Sequence, residues 1–165
     1  MSSSAREGRP TSSQQRTAWL LVAGQFALRA VIIVVPSGTA GSLPAWAARA
    51  ADVCALVGLA LMAVAALGLG RGLTAAPLPN EHARLRTGGL YRYARHPIYT
   101  GLLLTMGSLT VASGSVPRLV AFAVLLGLIT GKARWEEGHL ARRFAGYPAY
   151  AARTPRFVPR WRRRG

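Results

Sequence analysis

The chain has 165 residues, 51% of them hydrophobic and only 16% charged, and its 21 lysines and arginines against five acids leave a net charge of +16. This is too apolar for a soluble basic domain and too regular in pattern for a disordered one. The arginines flank apolar runs instead of lining a soluble amphipathic surface, which argues against nucleic acid as the partner. The single cysteine, Cys54, lies inside an apolar run, so no internal disulfide and no cysteine metal cluster can form.

Taken in chain order, residues 2–16 are polar and read as the main part of a disordered tail, residues 1–17, ahead of a single membrane domain over residues 18–165. Four apolar spans follow. The first, about residues 18–35, is interrupted by Gln25 and Arg29, and the second, about residues 50–69, carries Asp52 near its start. The third and fourth, about residues 97–112 and 116–131, are short and meet in a tight hairpin at Ser113-Gly114-Ser115-Val116-Pro117. A membrane helix needs about 17 to 25 residues, so the first two qualify directly and the last two must borrow flanking residues. The first span lacks a small-residue cleavage site and precedes another span, so it does not read as a signal peptide. Small residues such as Ala63, Ala66, Gly101 and Gly107 let such helices approach closely. The fold class expected is an all-α integral membrane protein of about four transmembrane helices with a C-terminal cytoplasmic amphipathic helix.

The tail, the loop after the second span and the segment after the fourth hold every lysine and arginine except Arg29, Arg49 and Arg118. With four spans these three regions share one side, and the positive-inside rule makes that side cytoplasmic, with both termini there. The expected location is therefore a cell membrane, multi-pass. The terminal run Arg162-Arg163-Arg164 faces anionic headgroups in this reading. Arg29, inside the first span, either snorkels or pairs with Asp52 on the neighbouring helix.

The polar residues concentrate at the edges of the last two spans. Thr87-Gly88-Gly89-Leu90-Tyr91 is followed after four residues by His96-Pro97-Ile98-Tyr99-Thr100-Gly101. His96-Pro97 reads as a helix start, since proline suits the first helical position and pushes the preceding residue out of the helical region. The free N–H groups of that first turn can receive a carboxylate or phosphate, with Arg92 and Arg95 close by. After the fourth span, Lys132, Glu136, Leu140 and Phe144 are spaced by four and share one helix face. Ionisable groups at the margins of apolar spans are costly there and mark a site where they partner one another or a ligand.

In this order and spacing, Thr87, Gly89, Tyr91, Arg95-His96-Pro97, Tyr99 and Gly101, then Glu136-Glu137, Leu140, Phe144, Tyr147 and Tyr150, resemble the isoprenylcysteine carboxyl methyltransferase and phospholipid methyltransferase family of integral membrane enzymes. The resemblance covers about residues 81–159. It departs from the family pattern at Ala145-Gly146-Tyr147, a residue shorter, and at Lys132, where the eukaryotic isoprenylcysteine enzymes carry arginine. The resemblance implies S-adenosyl-L-methionine as methyl donor and a lipid-like or hydrophobic acceptor, most simply a carboxylate, with membrane lipids as surroundings. By position it implies a cofactor site at Ala83, Arg84, Leu85, Arg86, Tyr91, His96, Pro97, Ile98, Tyr99, Glu136 and Glu137. It also implies catalytic roles, toward the acceptor, for Arg95 and Lys132; no metal is implied. Two other readings stay open: an NADPH-dependent membrane reductase of the sterol-reductase type, and a non-catalytic membrane scaffold. The presence of His96, Tyr99 and Glu136 together argues against the scaffold.

Overall fold

A computed structural model describes residues 11–38, 43–72 and 84–158. The tail to residue 10, Ala83 and the terminal arginine run lie outside them. Five helices appear: α1 (Ser12–Val34), α2 (Ala45–Leu69), α3 (Pro97–Ser113), α4 (Val116–Arg143) and α5 (Tyr147–Arg153), with short 3-10 turns at Gly70–Gly72 and Gly89–Arg92. The described chain is all-α, as its apolar periodicity requires.

The ends of the helices follow local chemistry. α1 begins at Ser12, ahead of the apolar run, because Thr11 and Gln14 form a reciprocal capping box: the Gln14 amide oxygen takes the Thr11 N–H at 2.9 Å and Thr11 Oγ1 takes the Gln14 N–H at 3.3 Å. Residues 12–16, polar in sequence, are therefore helical. α3 starts with Pro97 in its first turn and stops at Gly114, whose φ of 56° is a left-handed cap that glycine adopts without strain. α4 continues through Lys132 without a break. The amphipathic helix expected beyond the fourth span is thus the second half of α4, because neither Gly131 nor Gly138 interrupts the backbone ladder. Arg142 and Arg143 close its last turn, where cations suit the helix dipole.

α2 packs chiefly against α3, and α1 against α4. Gly58 and Gly101 make the first contact possible: a Cβ on either would press on the backbone oxygen of the other. Thr105 reinforces it by donating to Ala55 O at 3.2 Å and to Gly101 O at 3.0 Å. Ile32, Leu102, Met106, Ala121, Leu125 and Ile129 form the core between α1, α3 and α4. At one end of the bundle, Gly38 N donates to Ser113 O at 2.8 Å and Arg118 donates to Val35 O, so the end of α1 meets the α3–α4 turn. At the other end, Tyr91 Oη donates to Ala65 O at 3.3 Å, joining the end of α2 to the segment before α3. The four long helices therefore run up and down between two ends, and the polar motifs all lie at the second.

Among the described residues three helices are long and apolar enough to cross a membrane: α1, α2 and α4. α3 has 17 residues and falls just short of them. It rises about 25 Å against a hydrocarbon core of about 30 Å. The outward faces carry Trp19, Leu20, Phe26, Ile33, Leu56, Leu67 and Val120, all more than half exposed, which suits lipid and not water. Arg29 does not pair with Asp52. Asp52 is exposed on α2, whereas Arg29 lies on the α1 face turned toward α4 and snorkels along its own helix, Nε donating to Gln25 O at 3.3 Å.

Candidate functional site

The site is built where the start of α3 meets the second half of α4. Pro97 is buried and fixes the turn that aims His96 and Tyr99 toward α4. The two rings stack, with centroids 5.2 Å apart and planes within 9°. Tyr99 Oη donates to Glu136 Oε2 at 2.9 Å. His96 Nε2 lies 3.1 Å from Glu137 Oε1, and its Nδ1 lies 3.8 Å from Glu136 Oε2. The adjacent carboxylates of α4 thus bracket one histidine.

Their surroundings set them apart. Glu137 is held from three sides: Arg95 Nη2 at 3.0 Å, His96, and Arg156 through a fork of 2.9 and 2.8 Å. Its side chain is 13% exposed, against 26% for Glu136. Arg95 is equally committed, since its Nη1 also donates to Ala151 O and Thr154 O, both at 2.7 Å. Arg156 Nη2 meets Glu137 at 2.8 Å, and that carboxylate raises the guanidinium above its ordinary range. Glu137 is therefore a hub that locks Arg95 and the C-terminal segment to α4, while Glu136 keeps its more exposed carboxylate beside Tyr99.

The C-terminal segment crosses the site as a strap. Arg95 N donates to Pro155 O at 2.9 Å, His96 N to Arg156 O at 3.0 Å and Thr100 Oγ1 to Phe157 O at 2.8 Å. These bonds satisfy the N–H groups ahead of α3 and leave the Phe157 ring 6.2 Å from that of His96. Below the strap, Tyr150 Oη donates to Tyr91 O, tying α5 to the segment before α3. Burial pushes the Tyr150 phenol up to about 12 and raises Tyr91 and Tyr147 as well, so the three stay protonated, and Tyr150 and Tyr91 act as hydrogen-bond donors.

Lys132 is 1% exposed, one turn before Glu136 on α4. Its Nζ donates to Gln25 Oε1 of α1 at 2.9 Å and lies 5.3 Å from the centre of the Tyr99 ring. A continuous polar path thus runs from α1 through Lys132 and Tyr99 to Glu136 and His96.

Of the residues singled out in the sequence, Arg95, His96, Pro97, Tyr99, Lys132, Glu136 and Glu137 come together here. Ile98 is half-buried in the same turn. Tyr91 is buried behind it and near enough to feel the charge of Arg86. Arg84 and Arg86 are exposed, and Leu85 is half-buried near Gly146. Three contributors went unread: Gln25, Arg156 and Phe157. Gln25 did carry a signal, as a polar side chain inside an apolar span.

The cluster combines an accessible carboxylate, a stacked histidine–tyrosine pair, a helix start and a buried ammonium on apolar helices. Residues 50–146, more than half of the chain, match the family profile described as phospholipid methyltransferase. The chain belongs to the phospholipid methyltransferase family. It is 35% identical over 81 residues to Protein-S-isoprenylcysteine O-methyltransferase B of Arabidopsis thaliana, across 48% of this chain and 41% of that protein. The matched part therefore spans less than half of that relative. No solved structure matches the chain. Family membership carries S-adenosylmethionine as the donor of its reaction class, and it favours the methyltransferase reading over a reductase one. The match also reaches back into α2, so the α2–α3 pair belongs to the shared unit together with the motifs.

Proposed function

We propose that this protein is an S-adenosylmethionine-dependent methyltransferase of the membrane, acting on a lipid-like acceptor, most simply a carboxylate as in the relative's named isoprenylcysteine reaction. The observation that carries the reading is the Tyr99–Glu136 pair beside the His96-Pro97 helix start, at one end of a bundle whose outer faces suit lipid. The donor set fits the cofactor. Glu136, the more exposed carboxylate, takes its ammonium or ribose hydroxyls, and the N–H end of α3 with His96 takes its carboxylate. Tyr91, Ile98 and Tyr99 supply the walls, and residues 84–86 line the approach. When bound, the cofactor supplies an electrophilic methyl group on a sulfonium.

The protein's own part is positioning. A carboxylate acceptor is already an anion, so it needs no general base, and holding it in line contributes most of the rate. Lys132 holds the acceptor's charge from within the bundle. Arg95, clamped by Glu137 and two carbonyls, faces that same acceptor from the rim and keeps the strap over His96. In this reading residues 18–165 form one domain of four crossings, with α3 the shortest. The motif end and both termini lie in the cytoplasm, where the soluble cofactor is available, and the acceptor arrives laterally from the bilayer.

The test is incubation of the purified protein with radiolabelled S-adenosylmethionine and membrane extract, beside direct binding of S-adenosylmethionine and of NADPH. Label transferred to an extractable lipid, with S-adenosylmethionine binding and no NADPH binding, supports the proposal. Tight NADPH binding without binding of S-adenosylmethionine overturns it.

A further inference from the structure

The inward face of α1 reads Ala18, Val22, Gln25, half-buried Arg29 and Ile32, alternating steps of four and three. This is the packing stripe of a helix against a neighbour, and two of its five members are polar. The neighbour is α4, close enough that a Cβ on Gly24 would lie 3.1 Å from Leu128. On α4, Lys132 donates to Gln25 at 2.9 Å. Helical side chains lean toward the N-terminus, so Arg29 reaches back to the level of Gln25 and Lys132. Its Nε bond to Gln25 O confirms that direction.

Two cations therefore converge on one glutamine between α1 and α4, Lys132 at its side-chain oxygen and Arg29 at its backbone carbonyl. Arg29 has no carboxylate partner among the described residues, and its Nη2 is buried without a hydrogen bond. An unmatched guanidinium is expensive inside a membrane and is normally compensated. The guanidinium lies 3.9 Å from the centre of the Phe26 ring, and Phe26 is 56% exposed on the lipid-facing side. The guanidinium that carries the unsatisfied donor thus borders a lipid-facing ring.

We propose that Arg29, with Gln25 and Lys132, forms an oxyanion site between α1 and α4 that receives the acidic head of a lipid-like molecule, a carboxylate or a phosphate. The proposal rests on the acceptor reading given above for Lys132 and extends it to α1. The apolar tail of the ligand stays in the bilayer along Phe26. Its head exchanges headgroup water for the Arg29 fork and the Lys132 ammonium, a geometry that suits a planar carboxylate or a phosphate. Such a site selects acidic amphiphiles over neutral ones before any chemistry occurs.

The test uses the full chain in phosphatidylcholine nanodiscs and reads binding instead of turnover. The probes are amine-blocked S-farnesylcysteine and its neutral carboxamide, with phosphatidic acid doped into the discs as the phosphate arm. The wild type should bind the carboxylate at least about tenfold more tightly than the carboxamide, and Arg29→Gln should remove that preference while S-adenosylmethionine affinity stays within about twofold. Arg29→Lys should keep part of the preference. Competition by phosphatidic acid assigns the site to phosphate as well; failure to compete restricts it to carboxylates. Should Arg29→Gln not fold, Arg29→Lys and Gln25→Leu carry the same comparison. A full carboxylate preference in the folded Arg29 variants, or no preference for either acid in the wild type, overturns the proposal. Loss of S-adenosylmethionine binding in the wild type would sink the proposed function and leave this comparison readable.

Discussion

Glu136 and Glu137 are neighbours in sequence with different work. Glu137 is closed in by Arg95, His96 and Arg156, which engage both of its oxygens. Glu137→Gln leaves two guanidinium groups with their negative charge removed, in a region where the three side chains are 12%, 13% and 28% exposed. Breaking a pair buried to that degree costs about 3 kcal/mol, at the low end for fully buried pairs. The variant should lose thermal stability in detergent and free the strap over residues 154–158 to proteolysis; an unchanged melting temperature and digestion pattern would remove Glu137 from its hub role. Lys132 tests the acceptor side. Lys132→Ala should raise the acceptor KM or lower kcat, with S-adenosylmethionine affinity shifted by less than about tenfold, or 1.4 kcal/mol. Outright loss of cofactor binding, or full turnover, would contradict the assignment. The motif residues were readable because their spacing is local: a proline at a helix start and a cation and carboxylate one turn apart place themselves. The Gln25–Lys132 bond was not readable, because it joins residues 107 apart and a lone glutamine in an apolar span does not name its partner. Arg156 was hidden for a related reason: Pro155-Arg156-Phe157 reads as an extended tail until α3 supplies N–H groups for it to meet.

At the scale of elements, the apolar runs foretold the helices better than their ends. The chain turns polar at Lys132, yet α4 continues to Arg143, because a change of environment along a helix does not require a break in its hydrogen bonds. The Thr11–Gln14 capping box likewise starts α1 within the polar stretch. The pairing of elements depends on contact. Small residues in α2 and α3 announced a close approach, and Gly58 against Gly101 delivers it. Gly101→Ala should force the two backbones apart, at a cost of about 1–3 kcal/mol by overpacking. Its melting temperature should fall well below that of Gly107→Ala, where the contact is the edge of the Phe122 ring at 3.0 Å and a side chain can yield. Equal melting temperatures for the two variants would mean that the α2–α3 contact is loose in the membrane.

For the whole molecule, the up-and-down order of α1 to α4 gathers the motif segments, the strap and α5 at one end of the bundle. Among the described residues most cations lie toward the same end, with Arg49 and Arg118 at the other. Reporter fusions at Ser42 and at Gly165 should therefore give opposite sidedness, with Gly165 cytoplasmic. The same side for both would mean that α3 does not cross, and would require a three-span arrangement of α1, α2 and α4. The all-α class and the methyltransferase family were legible from apolar runs and ordered motifs; which helix faces which was not, because lipid-facing and partner-facing residues are equally apolar in this chain.

Glu136 is the carboxylate proposed to meet the cofactor, and calorimetric titration of S-adenosylmethionine into wild type and Glu136→Gln tests that role most directly. A charge-assisted bond of this kind is worth about 1.5–3 kcal/mol. The variant should elute as the folded wild type does and bind S-adenosylmethionine at least about tenfold more weakly. Wild-type affinity in the folded variant would contradict the account.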